Sequence, residues 1–216
     1  MDQFPGSPLW IGVVPTLAWQ AAVGLGADGV AYSTDDDLVM QWRAAGIVDG
    51  DGNVQPRWAQ AMAVAEEATD GLVLVAQHAD LAFLSNVHLG DGSTVVARSR
   101  ATVEVRGGSP HLATMEPVVE VTLCHEDRWP DIKRVLPPVP EFTVEANDSA
   151  DGPAAEPMDP ALSPPSAPES SLTVTQAEGE ETRSVHWYLN DGELYRVDQT
   201  GWYRVAPGDI HRTLGP

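Results

Sequence analysis

Three short runs in this chain have the residue types and spacing of chemical sites. Asp49-x-Asp51-x-Asn53 matches the first three oxygen ligands of a calcium loop. Such a loop needs Gly at its sixth position and a bidentate Glu at its twelfth, and here those positions are Val54 and Gln60. The run therefore reads as a turn. His125-Glu126-Asp127 follows Cys124, but no second spaced His or Cys pair completes a zinc site. Gly24-x-Gly26-x-x-Gly29 fits the dinucleotide pattern by spacing alone. The residues after it, Val30-Ala-Tyr-Ser-Thr34, do not read as the helix that would present its N-terminus to a pyrophosphate. There is no Gly-x-Ser-x-Gly, and Cys124, the single thiol, ends an apolar run as a core cysteine does. The other five histidines (78, 88, 111, 186 and 211) are scattered. The residues thus predict no catalytic site, no metal and no cofactor, and a protein that is not an enzyme.

The charge balance narrows the choice of partner. The 216 residues carry 12 Lys plus Arg against 32 Asp plus Glu, a net charge of −20. A field of this sign repels phosphate, which excludes sequence-independent nucleic-acid binding and disfavours anionic membranes. One cysteine forms no internal disulfide, as in a reducing compartment. The first eight residues lack the basic stretch of a signal peptide, and the apolar run Leu9–Leu25 is too broken to span a bilayer. The expected location is the cytoplasm. Residues 1–97 hold 12 acids and two bases, whereas 98–140 and 183–216 are neutral. Residues 141–182 hold ten acids, no base, six prolines and one aromatic, Phe142. Such a composition buries too little to offset ordering and predicts a disordered acidic linker.

Around these runs the pattern predicts a helix starting at Thr34, with Asp35, Asp36 and Asp37 favouring the positive end of its dipole. Leu38, Trp42 and Ala45 share one face, and Gly46 is the stop. Pro56 opens a second helix, with Trp58, Ala61, Met62 and Ala65 as its apolar stripe. The two are expected to form a helical hairpin. Leu9–Val14 reads as a strand or short helix. Strands follow at 72–78, 81–88, 94–106 and 118–124, then a short helix at 127–136 carrying Trp129 and Ile132. Three strands, 185–189, 193–197 and 202–205, make a C-terminal meander, with Asn190-Asp191-Gly192 as a hairpin turn. The meander is too small to stand alone and should extend the sheet of the first region. The expected class is a mixed α+β fold with a central, mostly antiparallel sheet flanked by helices. Its expected parts are 1–140, the linker 141–182 and the meander 183–216.

Four features together resemble the EspG family of type VII (ESX) secretion-associated proteins. They are Trp42-Arg-Ala-Ala-Gly-Ile-Val48 followed by Asp51-Gly-Asn-Val-Gln-Pro56, the strand set 72–100, the run Ile132-Lys-Arg-Val-Leu-Pro137, and Gly192-Glu-Leu-Tyr-Arg with Gly201-Trp-Tyr-Arg-Val-Ala-Pro-Gly208. The resemblance covers about residues 28–140 and 184–214. It implies a cytosolic chaperone, without active site or cofactor, that keeps a helical secretion substrate soluble. Family clients are typically PE–PPE heterodimers. This chain looks like a shortened variant, because the acidic segment stands where longer members carry further helices, and a WxG-like client would also suit it.

Such a chaperone needs an apolar patch on a stable scaffold. The candidates are the turn after the second strand, with Val87, His88, Leu89 and Val95, and the meander aromatics Trp187, Tyr188, Trp202 and Tyr203. Tyr32-Ser-Thr-Asp-Asp36 and Trp10-Ile-Gly12 fit short export motifs, but not in the positions where those act. The competing reading is an acidic inhibitor, or immunity-like protein, that neutralises a basic partner by charge.

Overall fold

Pro15 ends a strand and opens a helix, since its ring fixes φ and it has no N–H to lose at a helix start. In a computed structural model, which describes residues 9–107, 109–125, 136, 139, 142, 154–159, 168–178, 181–206 and 208–214, strand β1 is Leu9–Pro15 and helix α1 is Thr16–Ala31. The sequence pattern leaves α1 invisible. Gly24, Gly26 and Gly29 dilute its propensity, and Gly26 (φ 66°, ψ 175°) kinks it.

Helix α2 is Asp36–Ala44 and α3 is Pro56–Glu67. The cap of α2 is Asp35, one residue beyond the expected Thr34. Its carboxylate accepts from the amides of Asp37 and Leu38, both at 3.1 Å. Between the helices, Asp49 Oδ1 accepts from the amides of Asp51 and Asn53 at 2.9 Å, and Val48 bridges Val54. The calcium-like run is therefore a turn closed by its own backbone. The Asn53 amide is the leading cause that holds the Asp49 carboxyl below its usual range. The expected two-helix hairpin is instead a three-helix layer in which α2 and α3 both pack on α1. The Trp42 indole donates to the Ala18 carbonyl at 2.8 Å, which ties α2 to α1.

The remaining elements are strands β2 (Asp70–His78), β3 (Leu81–Gly90), β4 (Ser93–Arg106), β5 (Ser109–Met115), β6 (Val118–Cys124), β7 (Glu156–Pro157), β8 (Ser170–Glu178), β9 (Glu181–Asn190), β10 (Glu193–Asp198) and β11 (Gly201–Val205), and helix α4 (Asp209–Leu214). With β1, these ten strands form a large antiparallel sheet of eleven. The mixed α/β class is as expected. The expected helix at 127–136 lies outside the described residues, Leu136 excepted.

The chain divides into two compact units that do not follow the expected boundaries: 1–71, 86–99 and 116–130 form one, and 72–85, 100–115 and 131–216 the other. In the first, β6 lies between β1 and β4, with Val14 opposite Val119 and Val95 opposite Leu123. The three helices cover the face bearing Val95, Ala97, Val119, Val121 and Leu123, and bury Trp19, Trp42, Trp58 and Met62 against it. Gly12 is required there by close approach. A Cβ at Gly12 would lie 2.8 Å from Trp58 Cζ2.

In the second unit the strand order β2-β8-β9-β10-β11-β7 includes one correction. Residues 170–178, which composition assigns to the disordered linker, are strand β8, paired with β9 over nine residues from Ser170–Leu189 to Glu178–Glu181. Thr173, Val174 and Thr175 are β-branched, and Leu172 and Val174 are buried. Phe142, also in the expected linker, is 1% exposed. Average composition over 42 residues conceals this short alternating strand at their C-terminal end. The hairpin turn at Asp191 (φ 53°) and Gly192 (φ 74°) is as the sequence predicts.

Candidate functional site

Four of the eight expected binding residues are interior. Val87, Leu89 and Val95 are 2%, 5% and 0% exposed. The five residues Ser93–Ala97 of β4 are all buried, so both faces of the strand are covered there and its start offers no rim. Trp187 is wholly buried, and its indole donates to Asp209 Oδ2 at 2.9 Å. These four are core residues, not a partner surface.

The other meander aromatics are half-buried, and two of them pack on neighbours. Trp202 packs on Tyr195 with ring centroids 6.0 Å apart. Tyr203 donates its hydroxyl to the Thr200 carbonyl at 3.1 Å, and its ring faces the Arg196 guanidinium at 5.2 Å. Burial raises the Tyr188 hydroxyl pKa above its usual value. Beneath them lies a network that no sequence spacing announces. Asp209 accepts from Trp187 and, at 3.0 Å, from Arg196, and Arg196 Nε lies 3.0 Å from Asp198. These bonds fasten α4 to the meander. Burial alone would raise Asp198, but the Thr200 hydroxyl and amide and the Arg196 charge outweigh it and hold the carboxyl below its usual value.

His88 is the expected residue that does reach a site. It is half-buried and, with Asn86, lines a cavity of about 360 Å³ in the first unit. Helix α1 supplies Thr16, Trp19, Gln20, Val23 and Gly24, β4 supplies Ala97 and Ser99, and β6 supplies Val119. The 16-19-20-23-24 spacing places one flank of α1 along the cavity. Trp19 is held by Trp58 behind it, with ring centroids 5.9 Å apart at 54°. No lining side chain carries a fixed charge. Burial lowers the pKa of His88, which keeps the imidazole neutral. The Thr16 hydroxyl is buried with no hydrogen-bond partner among the described residues. At Gly24 nothing lies within 4 Å of a would-be Cβ, so the mouth is open.

Beside that mouth a large apolar side chain stands exposed. Leu17, three and seven residues before Gln20 and Gly24, is 76% exposed. Leu25, Tyr32 and Met40 are also exposed. The signal for this surface is present in the sequence as the apolar run 9–25, but its reading depends on recognising α1. Among the described residues no group of three or more His, Cys, Asp or Glu could hold a metal ion. No helix among them is long and apolar enough to cross a membrane. No protein-family model matches the chain, and no curated protein does.

Proposed function

We propose that this protein is a cytosolic secretion chaperone or adaptor of EspG type, which holds a helical secretion substrate by apolar contact and keeps it soluble. The observation that carries the reading is the uncharged, open cavity flanked by the exposed Leu17 of α1. A monomeric soluble protein rarely leaves large side chains exposed beside a preformed apolar hollow unless something covers them. On this reading the protein acts by binding and not by turnover. The client is PE–PPE-like or WxG-like, as the family resemblance implies.

Co-expression with such a client tests the proposal. The wild-type chain should raise the soluble yield of the client, and the complex should survive about 1 M NaCl, because apolar contact is not screened. Gly24→Leu places a side chain across the cavity mouth and should abolish that gain. A complex that falls apart in high salt and ignores Gly24→Leu would support the acidic-inhibitor reading instead.

A further inference from the structure

We infer that the cavity under α1 takes one bulky, uncharged side chain, an indole above all, carried on a partner helix whose flanking residues are Lys or Arg. The inference rests on the apolar-capture reading above and names the chemistry of its partner. The first argument is the lining. Trp19, Val23 and Val119 offer an apolar wall, while Asn86, Ser99 and the unpartnered Thr16 hydroxyl offer acceptors for one N–H or O–H. That combination suits an aromatic ring with a single polar edge. A charged side chain would lose its hydration there with no counter-ion.

The second argument is the charge of the surroundings. The described residues of this unit carry twelve Asp and Glu against only Arg43, Arg57 and Arg98. Arg98 is itself set opposite Glu120 on the neighbouring strand. Asp28 lies four residues beyond Gly24, past the kink at Gly26, and the Glu66 carboxylate comes within 3.2 Å of a would-be Cβ at Gly26. Asp35, Asp36 and Asp37 follow the exposed Tyr32. A partner with acidic flanks is repelled and one with basic flanks is attracted. The third argument is extent. Leu17, next to the lining Thr16 on α1 yet outside the lining, is 76% exposed, and an occupant that also covers it reaches past the cavity. The occupant is therefore a polypeptide segment.

The test uses the full chain and three fluorescein-labelled helical peptides of about 18 residues. Each carries one central Trp, flanked by Lys, by Gln or by Glu. Anisotropy titrations are run at about 50 mM and about 500 mM NaCl. At low salt the Lys peptide should bind roughly five- to thirty-fold tighter than the Gln peptide, and the Glu peptide weaker than either. The gap should close at high salt. Gly24→Leu should weaken the Lys and Gln peptides at least about tenfold, with its melting curve recorded to show that it folds. Asp28→Asn with Glu66→Gln, both at exposed positions, should shrink the Lys–Gln gap and leave the Gln peptide unchanged.

Equal binding of the Lys and Gln peptides, with both lost in Gly24→Leu, overturns the charge inference while the apolar reading stands. Lys-peptide binding that survives both Gly24→Leu and a Trp→Ala change in the peptide overturns the cavity inference and the apolar reading together. Free N-acetyltryptophanamide binding as tightly as the Lys peptide would make the cavity a small-molecule site and overturn the polypeptide assignment.

Discussion

The two units of this molecule use aromatic and charged side chains in opposite ways. In the C-terminal unit the rings and ions face one another: Trp187 donates to Asp209, Arg196 joins Asp209 and Asp198, and Tyr203 lies against the guanidinium. In the helical unit the tryptophans pack on one another and on α1, the cavity they border is uncharged, and the acids stand outside with few cations to meet. A surface rich in Trp and Tyr is therefore the quieter one, because its rings and charges are turned on one another. The receptive surface is the one where an exposed apolar side chain stands beside an open, uncharged cavity.

The largest effect should come from breaking the satisfied network. Asp209 is 4% exposed and neutralises a partly buried Arg196. Asp209→Ala leaves the Trp187 N–H without a partner and Arg196 with Asp198 as its remaining close counter-ion, which should cost about 2–4 kcal/mol. Asp209→Asn keeps an acceptor for the indole and should cost less. Urea unfolding followed by Trp fluorescence checks both, and a loss under about 1 kcal/mol for Asp209→Ala would remove the network from the account.

Gly12→Ala is the corresponding probe of the helical unit. Its methyl meets the Trp58 ring at 2.8 Å, and Trp58 is itself held by Trp19. A rigid ring cannot swing away as a flexible chain end can, so the substitution should cost about 1–3 kcal/mol in the same assay. Trp58→Leu combined with Gly12→Ala should recover part of that loss. If the double variant shows no recovery, the close approach is not its cause.

Acid should separate the units more gently. His88 has a lowered pKa, so folding favours its neutral form, and that stability is complete above the unfolded value of 6.5. It is lost as pH falls from 6.5 through the lower folded value. His186 in the second unit is lowered for the same reason, by burial. Asp198, also lowered, contributes stability that is complete above 3.8 and lost only as pH falls through its folded value. His88→Gln should flatten the decline in melting temperature as pH falls below 6.5. A curve unchanged in His88→Gln would show that the imidazole titrates as it does in water.

The difference between the units also explains what the sequence makes legible. Boundaries written in single side chains are read correctly: Pro56 at the start of α3, Asp191-Gly192 in the hairpin, and the alternation of β9 to β11. The apolar stripe Trp58, Ala61, Met62 and Ala65 is buried as its spacing predicts. What stays hidden is whatever depends on distant chain segments meeting. Val87, Leu89 and Val95 look like strand ends, yet their burial is decided by what covers the sheet. Trp187 looks like an exposed aromatic until Asp209, 22 residues on, arrives beneath it. The cavity needs α1, β3, β4 and β6 together, and of its lining the sequence marks only His88 as a candidate binding residue.

The smallest effect, and the one that separates stability from binding most cleanly, is Gly24→Ala. Gly24 has helical backbone angles, since the only non-helical residue within α1 is Gly26. A Cβ there meets nothing within 4 Å. Alanine loses less backbone freedom on folding than glycine, so the substitution should stabilise by about 0.4–1 kcal/mol. In a chain of this size that raises Tm by roughly 1–4 °C. A methyl is too short to close the mouth, so the Lys-flanked peptide should bind Gly24→Ala as it binds wild type. Gly24→Leu shares the gain in helix propensity and should melt no lower than wild type, yet lose the peptide. If Gly24→Ala instead melts below wild type, residue 24 is packed or non-helical, and the open mouth on which the receptive unit depends does not exist.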